Sequence, residues 1–403
     1  MQIAKLLARR TNQMQASTIR EILKVVSQPG IISLAGGIPA PASFPVELIP
    51  GLIETVLSKY GTTALQYDLT EGFLPLRQAL SRHLFQKGIK ATADEIYIAS
   101  GSQGILDAVG KALISKGDAV AVESPTYLGA IQAFDPYEPE YIPLETDDHG
   151  LVPASLDRVL SSLRIKFVYS VPTFQNPSGR TLTLERRERI AQIIRRHDAL
   201  LIEDDPYSDL RYQGEHLTPI KVLAPNHVVY ISTLSKVFAP GLRIGFYLAP
   251  KDLREWLVIV KQGVDLHTST LNQAIAAEYL SGNHLDRQLP EIIRLYKPKK
   301  EAMLQALDKH FPNDFKWSKP EGGMFLWAEG PKGFDAMDLY HRCVAKGVAF
   351  VPGKYFFADK RSGLETMRLN FTMADKEAID FCIQTMADTI TACRAFHSRQ
   401  VFA

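Results

Sequence analysis

The 403-residue chain is long enough for two domains, and its 46% hydrophobic and 22% charged content is that of a folded globular protein, not a disordered one. Its 46 basic and 44 acidic residues are spread along the whole length, so no block of charge offers a surface to nucleic acid or an anionic membrane. Three cysteines, Cys343, Cys382 and Cys393, without a Cys-x-x-Cys pair, support neither a disulfide framework nor a zinc ribbon and predict a reducing compartment, the cytoplasm.

Residues 1–10 interrupt their apolar side chains with Lys5 and end in Arg9 and Arg10, so they lack the core of a signal peptide. Nowhere do about 18 apolar residues run together as a membrane span requires. Residues 17–26 have the apolar spacing of a short amphipathic helix, with Arg20 on its first turn, closed by Pro29 and Gly30. An extended piece follows at 31–41, where Gly36 and Gly37 either allow a turn or let the backbone lie close to a ligand. Gln66, Tyr67 and Asp68 belong to a polar loop before a helix that carries Leu76, Leu80 and Leu84.

From Glu95 an α/β rhythm begins. A strand at 96–99 runs into the small-residue turn Ser100-Gly101-Ser102-Gln103-Gly104 and a helix with Ile105, Val109 and Leu113 on one face. Such a turn presents unpaired N–H groups at the positive end of the helix dipole and can hold a phosphate. The strand at 119–122 ends at Glu123-Ser124-Pro125-Thr126-Tyr127. Ligands of open α/β sheets collect at the carboxyl ends of strands, which makes Tyr127 a candidate for stacking on an aromatic ring. After the strand at 166–171, Asn176 is either a turn former or an amide donor to a ligand oxygen. A helix over 185–197 precedes the strand at 199–202, which runs straight into Glu203-Asp204-Asp205. These carboxylates either cap a solvated strand end or, if buried, leave at least one in need of a cation, such as a protonated pyridine nitrogen.

The most informative stretch lies between the apolar runs 228–231 and 244–248: Ser232-Thr233-Leu234-Ser235-Lys236, followed by Pro240-Gly241-Leu242-Arg243. Pro240 and Gly241 break any helix that would hold Lys236 on a solvated face. Thr233, Ser235 and Arg243 supply two hydroxyls and a bidentate cation, which is what a phosphate monoester needs, and Lys236 stays free for covalent chemistry with a carbonyl. A lysine beside a phosphate cradle points to pyridoxal phosphate (PLP), whose ring acts as an electron sink. The short, non-alternating, Val- and Ile-rich strands with helices between them predict a mainly parallel sheet covered on both faces. After Asn272 the rhythm fades. A long helical region at 285–310, interrupted at Pro290 and Pro298, and strands within 321–327, 348–353 and 366–371 predict a smaller α+β domain.

Taken in order, Ser-Leu-Ala-Gly-Gly-Ile-Pro (33–39), Gln-Tyr (66–67), Gly-Ser-Gln (101–103), Ser-Pro-Thr-Tyr (124–127), Asn-Pro-Ser-Gly (176–179), Glu-Asp-Asp-Pro-Tyr (203–207), Ser-Lys (235–236), Gly-Leu-Arg-Ile-Gly (241–245) and Met-Arg-Leu (367–369) resemble the class I aminotransferases nearly end to end. These are the aspartate aminotransferase-like PLP enzymes of fold type I, and the likeness is closest to the 2-aminoadipate and kynurenine aminotransferase-like subgroup.

The resemblance implies an α/β fold, with a large domain over 46–285 built on a mainly parallel, seven-stranded-type sheet and a smaller α+β domain made from 1–45 and 286–403. It implies a homodimer with shared active sites, acting on amino acids and 2-oxo acids as small-molecule substrates. Residue by residue, it makes Lys236 the lysine that bonds the cofactor aldehyde, pairs Asp204 with the ring nitrogen, sets Asn176 and Tyr207 on the ring hydroxyl and stacks Tyr127 on the ring. Backbone groups of Ser102 and Gln103, side chains of Thr233, Ser235 and Arg243, and Tyr67 from the second subunit would hold the phosphate. Arg368 and Asn176 would take the substrate α-carboxylate beside Gly37, and Arg20 the distal carboxylate of dicarboxylic substrates. Thr233 stands where serine is common, with an equivalent hydroxyl. The implied reaction is ping-pong transamination from an L-amino acid (2-aminoadipate, glutamate, aromatic or branched-chain) to a 2-oxo acid such as 2-oxoglutarate. A PLP-dependent decarboxylation or elimination on the same fold remains open, as does a non-catalytic PLP-binding sensor, although the chain shows no DNA-binding arm.

Overall fold

The computed structural model describes residues 1–12, 14, 28–359 and 361–401, and the side chains of all of these except residues 4, 12 and 395–401. At its centre is a seven-stranded sheet: β1 Tyr97–Ser100, β2 Ala119–Glu123, β3 Glu140–Leu144, β4 Ile165–Ser170, β5 Leu201–Asp204, β6 Val228–Thr233 and β7 Ile244–Leu248. The spatial order is β1-β7-β6-β5-β4-β2-β3. Every pairing is parallel except the two made by β7, which runs antiparallel to β1 and β6. Only residues 234–243 link β6 to β7, too few for the helical crossover that a parallel pair needs, which takes about a dozen residues or more.

Both faces of this sheet are buried, as the strand composition predicts, and the period of two sorts the side chains between them. Val120, Val122, Phe167, Tyr169 and Ile202 enter the larger core cluster. Ala121, Val168 and Leu201 enter a second one, together with Ile190, Ala191, Ile193 and Ile194 of the helix Leu184–Arg196. That helix begins where Thr183 accepts from Arg186 N and ends on Arg195 and Arg196, in agreement with the capping and dipole preferences of its ends.

A second sheet is antiparallel throughout, with β8 Lys316–Trp317, β9 Phe325–Glu329, β10 Val351–Pro352 and β11 Thr366–Asn370 in the order β8-β9-β11-β10. Early and late parts of the chain meet beside it. Ile32–Ser33 pairs in parallel with Val348–Ala349, and Asn370 N donates to Leu34 O at 2.7 Å. The helix His284–His310 runs unbroken through Pro290 and Pro298, contrary to the expected interruptions. A proline removes one N–H and crowds the preceding turn. Here Leu285, Ile292, Tyr296, Met303, Ala306 and Leu307 are buried along its length, and that packing outweighs the local cost. Among the described residues no helix is long and apolar enough to cross a membrane.

Candidate active site

The carboxyl ends of β1, β2, β4, β5 and β6 lie along one edge of the sheet, where the motif loops leave it. They open on a cavity of about 230 Å³ lined by Gly37, Ile38, Ser102, Gln103, Tyr127, Val171, Asn176, Asp204, Pro206, Tyr207, Thr233, Ser235, Lys236, Pro240, Arg243 and Arg368. All the expected site residues except Tyr67 and Arg20 are therefore brought together within one chain.

The sheet period settles which of the three adjacent carboxylates faces this cavity. Glu203 points to the opposite side and accepts from the backbone N–H groups of Ile220 and Lys221 at the start of the short helix Ile220–Leu223. Asp205, just past β5, accepts from Ser208 N and Oγ and from Tyr230 Oη. Asp204 lines the cavity, 2% exposed, with Oδ2 accepting from Tyr169 Oη at 2.7 Å and Oδ1 without a hydrogen-bond partner. Burial pushes its carboxyl up to about 7, opposed by the Tyr169 hydrogen bond and by the charge of Lys236.

Lys236 closes a one-turn segment, Leu234–Lys236, and its Nζ donates to Gly37 O at 2.9 Å. Burial, with the charges of Arg368 and Arg243, holds its amine down to about 8. Arg368, on β11, is 1% exposed; Nη1 donates to Asn176 Oδ1 at 2.9 Å and Nη2 to Ala35 O at 2.6 Å. Its guanidinium lies 4.3 Å from the Phe325 ring centroid, and burial brings it down to about 10, so it remains charged at neutral pH. Asn176 Nδ2 donates to Tyr207 Oη at 3.4 Å. Burial raises both phenols, Tyr127 to about 12 and Tyr207 beyond its ordinary value, so neither ionises at working pH.

At the other end of the cavity the helix Ser102–Leu113 begins without a side-chain cap. Thr233 Oγ1 lies 2.9 Å from Ser235 Oγ, and Arg243, in the left-handed region at φ 55°, reaches Ser100 O with Nη2 at 3.3 Å. Two glycines permit this crowding. A Cβ on Gly101 would collide with the Arg243 guanidinium, and one on Gly245 would lie 2.5 Å from Ser102 N. Uncapped helix amides, two hydroxyls and a guanidinium could together hold a phosphate dianion. The free Asp204 oxygen calls for a cationic N–H donor, and a half-buried amine with a pKa of about 8 suits an aldehyde. The donor set fits pyridoxal phosphate.

Tyr67 lies elsewhere in the chain: 76% exposed, edge-on to His267 at 5.5 Å, in a separate hollow with Gln66 and Thr270. Arg20 lies outside the described residues, as does the helix expected at 17–26. Sequence reasoning missed Tyr169, because which residue stands across from which on neighbouring strands is not written in either strand alone. It also missed Glu123, a buried carboxyl pushed up to about 7 by burial, which accepts from Ser170 Oγ, Val171 N and Gln175 Nε2. Through Gln175, which also donates to Pro125 O, it joins the loop bearing Asn176 to the loop bearing Tyr127.

Residues 45–383 match the family model for aminotransferase class I and II. The chain belongs to this family and is a PLP-dependent aminotransferase of fold type I. It is 46% identical to an aromatic-amino-acid aminotransferase of Thermococcus litoralis, over 94% of this chain and 92% of that protein. The solved kynurenine aminotransferase of Pyrococcus horikoshii, in complex with PMP, superposes with a TM-score of 0.93 at 42% identity, covering 97% and 98% of the two chains. The alpha-aminoadipate aminotransferase of Thermus thermophilus, complexed with a phosphopyridoxyl-leucine, superposes with a TM-score of 0.91 at 36% identity, covering 98% of this chain and all of that one.

Proposed function

We propose that the enzyme moves an amino group from an L-amino acid to a 2-oxo acid such as 2-oxoglutarate by a ping-pong mechanism, with the roles distributed as follows. Lys236 bonds the cofactor aldehyde, Asp204 pairs with the ring nitrogen, Asn176 and Tyr207 meet the ring hydroxyl and Tyr127 covers the ring. Ser102, Gln103, Thr233, Ser235 and Arg243 hold the phosphate, and Arg368 with Asn176 takes the substrate α-carboxylate beside Gly37. When bound, the cofactor ring accepts the electron pair left behind as a Cα proton departs. Lys236 Nζ, set free when the substrate amine takes its place on the aldehyde carbon, would take that proton; an amine held near 8 is a base matched to neutral pH and can give the proton back to the carbon on the far side of the amino nitrogen. The single observation that carries this reading is that Lys236, the free oxygen of Asp204, the anion cradle and the buried Arg368 share one cavity.

Tyr67 with its neighbours Leu65 and Leu69, all more than half exposed, suits burial against a second copy of the chain, where Tyr67 would complete the partner's phosphate cradle. Mixing Lys236→Ala subunits with Tyr67→Ala subunits should then restore activity through one intact site per mixed dimer. Among the described residues that line the cavity, the cations are Lys236, Arg243 and Arg368, each already assigned. The distal carboxylate of a dicarboxylic substrate is assigned to Arg20 on the family resemblance of its Ser-Thr-Ile-Arg segment. The deciding experiment is a panel of amino donors in single turnover, read by the change of cofactor absorbance from its aldehyde to its amine form. Arg20→Ala should slow glutamate and 2-aminoadipate about tenfold or more, about 1.4 kcal/mol, and leave leucine nearly unchanged. Loss of the amino acid without the amine form of the cofactor appearing would overturn transamination.

A further inference from the structure

The two oxygens of Asp204 keep unequal company. Oδ2 accepts a hydrogen bond from Tyr169 Oη at 2.7 Å, while Oδ1 has no partner. Tyr169 does not line the cavity. It is fully buried on β4, opposite Ile202 of β5, so it lies on the same sheet face as Asp204, two residues further along, and its ring meets Phe134 edge-on at 6.0 Å. Phenylalanine would fill this space equally well. A buried hydroxyl is a liability unless it has a partner, so the oxygen of Tyr169 is there for Asp204.

Two other charged groups act on Asp204: the neighbouring Asp205 disfavours its charge and Lys236 favours it. Tyr127 and Tyr207, which line the same cavity, feel its charge and keep their protons. Burial is the largest influence and drives the carboxyl towards its neutral form. A neutral acid cannot be the anionic partner of a ring nitrogen. The phenol of Tyr169 is raised well above its ordinary value, so it donates throughout the working range and never competes as an anion.

We propose that Tyr169 is the positioning residue of Asp204: its hydroxyl occupies Oδ2, turns Oδ1 to the cavity and holds the group as a carboxylate for the ring nitrogen of pyridoxal phosphate. The inference rests on the cofactor reading above. A hydrogen bond to a charged group is worth about one pKa unit or more, so its loss should reach the cofactor at a distance, without any change in the cavity wall.

The test compares wild type, Tyr169→Phe, Asp204→Asn and the double variant as holoenzymes. The readouts are the equilibrium dissociation of pyridoxal phosphate and the pH midpoint of its near-ultraviolet absorbance change. Tyr169→Phe should weaken cofactor binding about tenfold and raise the midpoint by about one unit, because a ring that loses its positive charge no longer opposes a proton elsewhere on the same conjugated system. Added to Asp204→Asn, the same change should do almost nothing further. The double variant leaves no carboxylate without its donor, so the comparison stays readable if the single variant folds poorly. Wild-type values in Tyr169→Phe, or an equal loss with and without Asp204, would overturn the inference while leaving the cofactor reading intact. If Asp204→Asn itself binds and titrates like wild type, the assignment of Asp204 fails, and the role of Tyr169 with it.

Discussion

Two lysines flank β6, Lys221 before it and Lys236 after it, and burial brings both amines down to about 8. Both also line cavities, Lys221 one with Lys90, Glu95, Lys251 and Arg254. What separates them is what each amine faces. Lys221 Nζ donates to two backbone carbonyls, Pro225 O at 2.7 Å and Val228 O at 2.8 Å, so it acts as a brace at the start of the strand. Lys236 gives one bond to Gly37 O and otherwise looks across a cavity at a carboxylate with a free oxygen and at an anion cradle. A lowered pKa marks a buried lysine. A set of unmet partners that one ligand could satisfy together marks a catalytic one.

The largest effect should come from removing the lysines in turn. On the proposed roles, Lys236→Ala should cost turnover about 10⁴-fold or more, since it would delete both the covalent anchor and the proton carrier. Lys221→Ala should leave turnover within about twofold. Borohydride reduction of the holoenzyme should fix the cofactor to the peptide carrying Lys236; label on Lys221 would invert the comparison.

The next contrast is between two adjacent buried carboxyls. Asp204→Asn should slow turnover about 100-fold, about 3 kcal/mol of barrier, because a neutral amide cannot keep the ring nitrogen charged. Asp205→Asn should instead lower the Tm, because Asp205 braces Ser208 and Tyr230. The apoprotein gives a second readout. Asp204 titrates near 7 when folded and near 3.8 when unfolded, so across that window the folded state keeps a proton that the unfolded chain has released. Its contribution to stability falls as pH rises from about 4 to 7, and above 7 the protein carries the full cost of a buried charge. The apoprotein of Asp204→Asn should therefore be more stable than wild type at pH 8, with the gap closing below pH 4 and shrinking when pyridoxal phosphate is bound.

Much of this site was legible in the sequence because its members sit in short strings just past strand ends, where the local order of residues alone shows what leaves the sheet. Gly-Ser-Gln, Asn-Pro-Ser-Gly and Ser-Lys are of this kind. Tyr169 reads as one more apolar strand residue until β4 and β5 are placed in register, and Glu123 reads as an ordinary strand end until three other segments converge on it. The unbroken helix through Pro290 and Pro298 was hidden for a related reason: local propensity speaks against it, and its burial is a property of the whole fold.

The smallest expected effect concerns Lys221→Met, and its sign follows from the two roles that the amine plays. Lys221 is only 8% exposed and loses its proton near 8 when folded, against 10.5 in the unfolded chain. Between these values the unfolded state holds a proton that the folded state lacks, so the contribution of Lys221 to stability rises with pH across 8 to 10.5. Below 8 the burial cost of its charge, about 3 kcal/mol, opposes hydrogen bonds to Pro225 O and Val228 O worth about 1 to 3 kcal/mol each. Methionine removes both contributions, so near pH 7 the variant should stay within about 1 kcal/mol of wild type. A neutral amine still has two N–H groups, enough for both carbonyls. Towards pH 10 the burial cost fades while the bonds persist, and wild type should pull ahead by a few degrees in Tm, with turnover at pH 7 unchanged. A lead for wild type that shrinks with rising pH would show that Lys221 is held by charge, through Glu203, and the contrast with Lys236 would then rest on turnover alone.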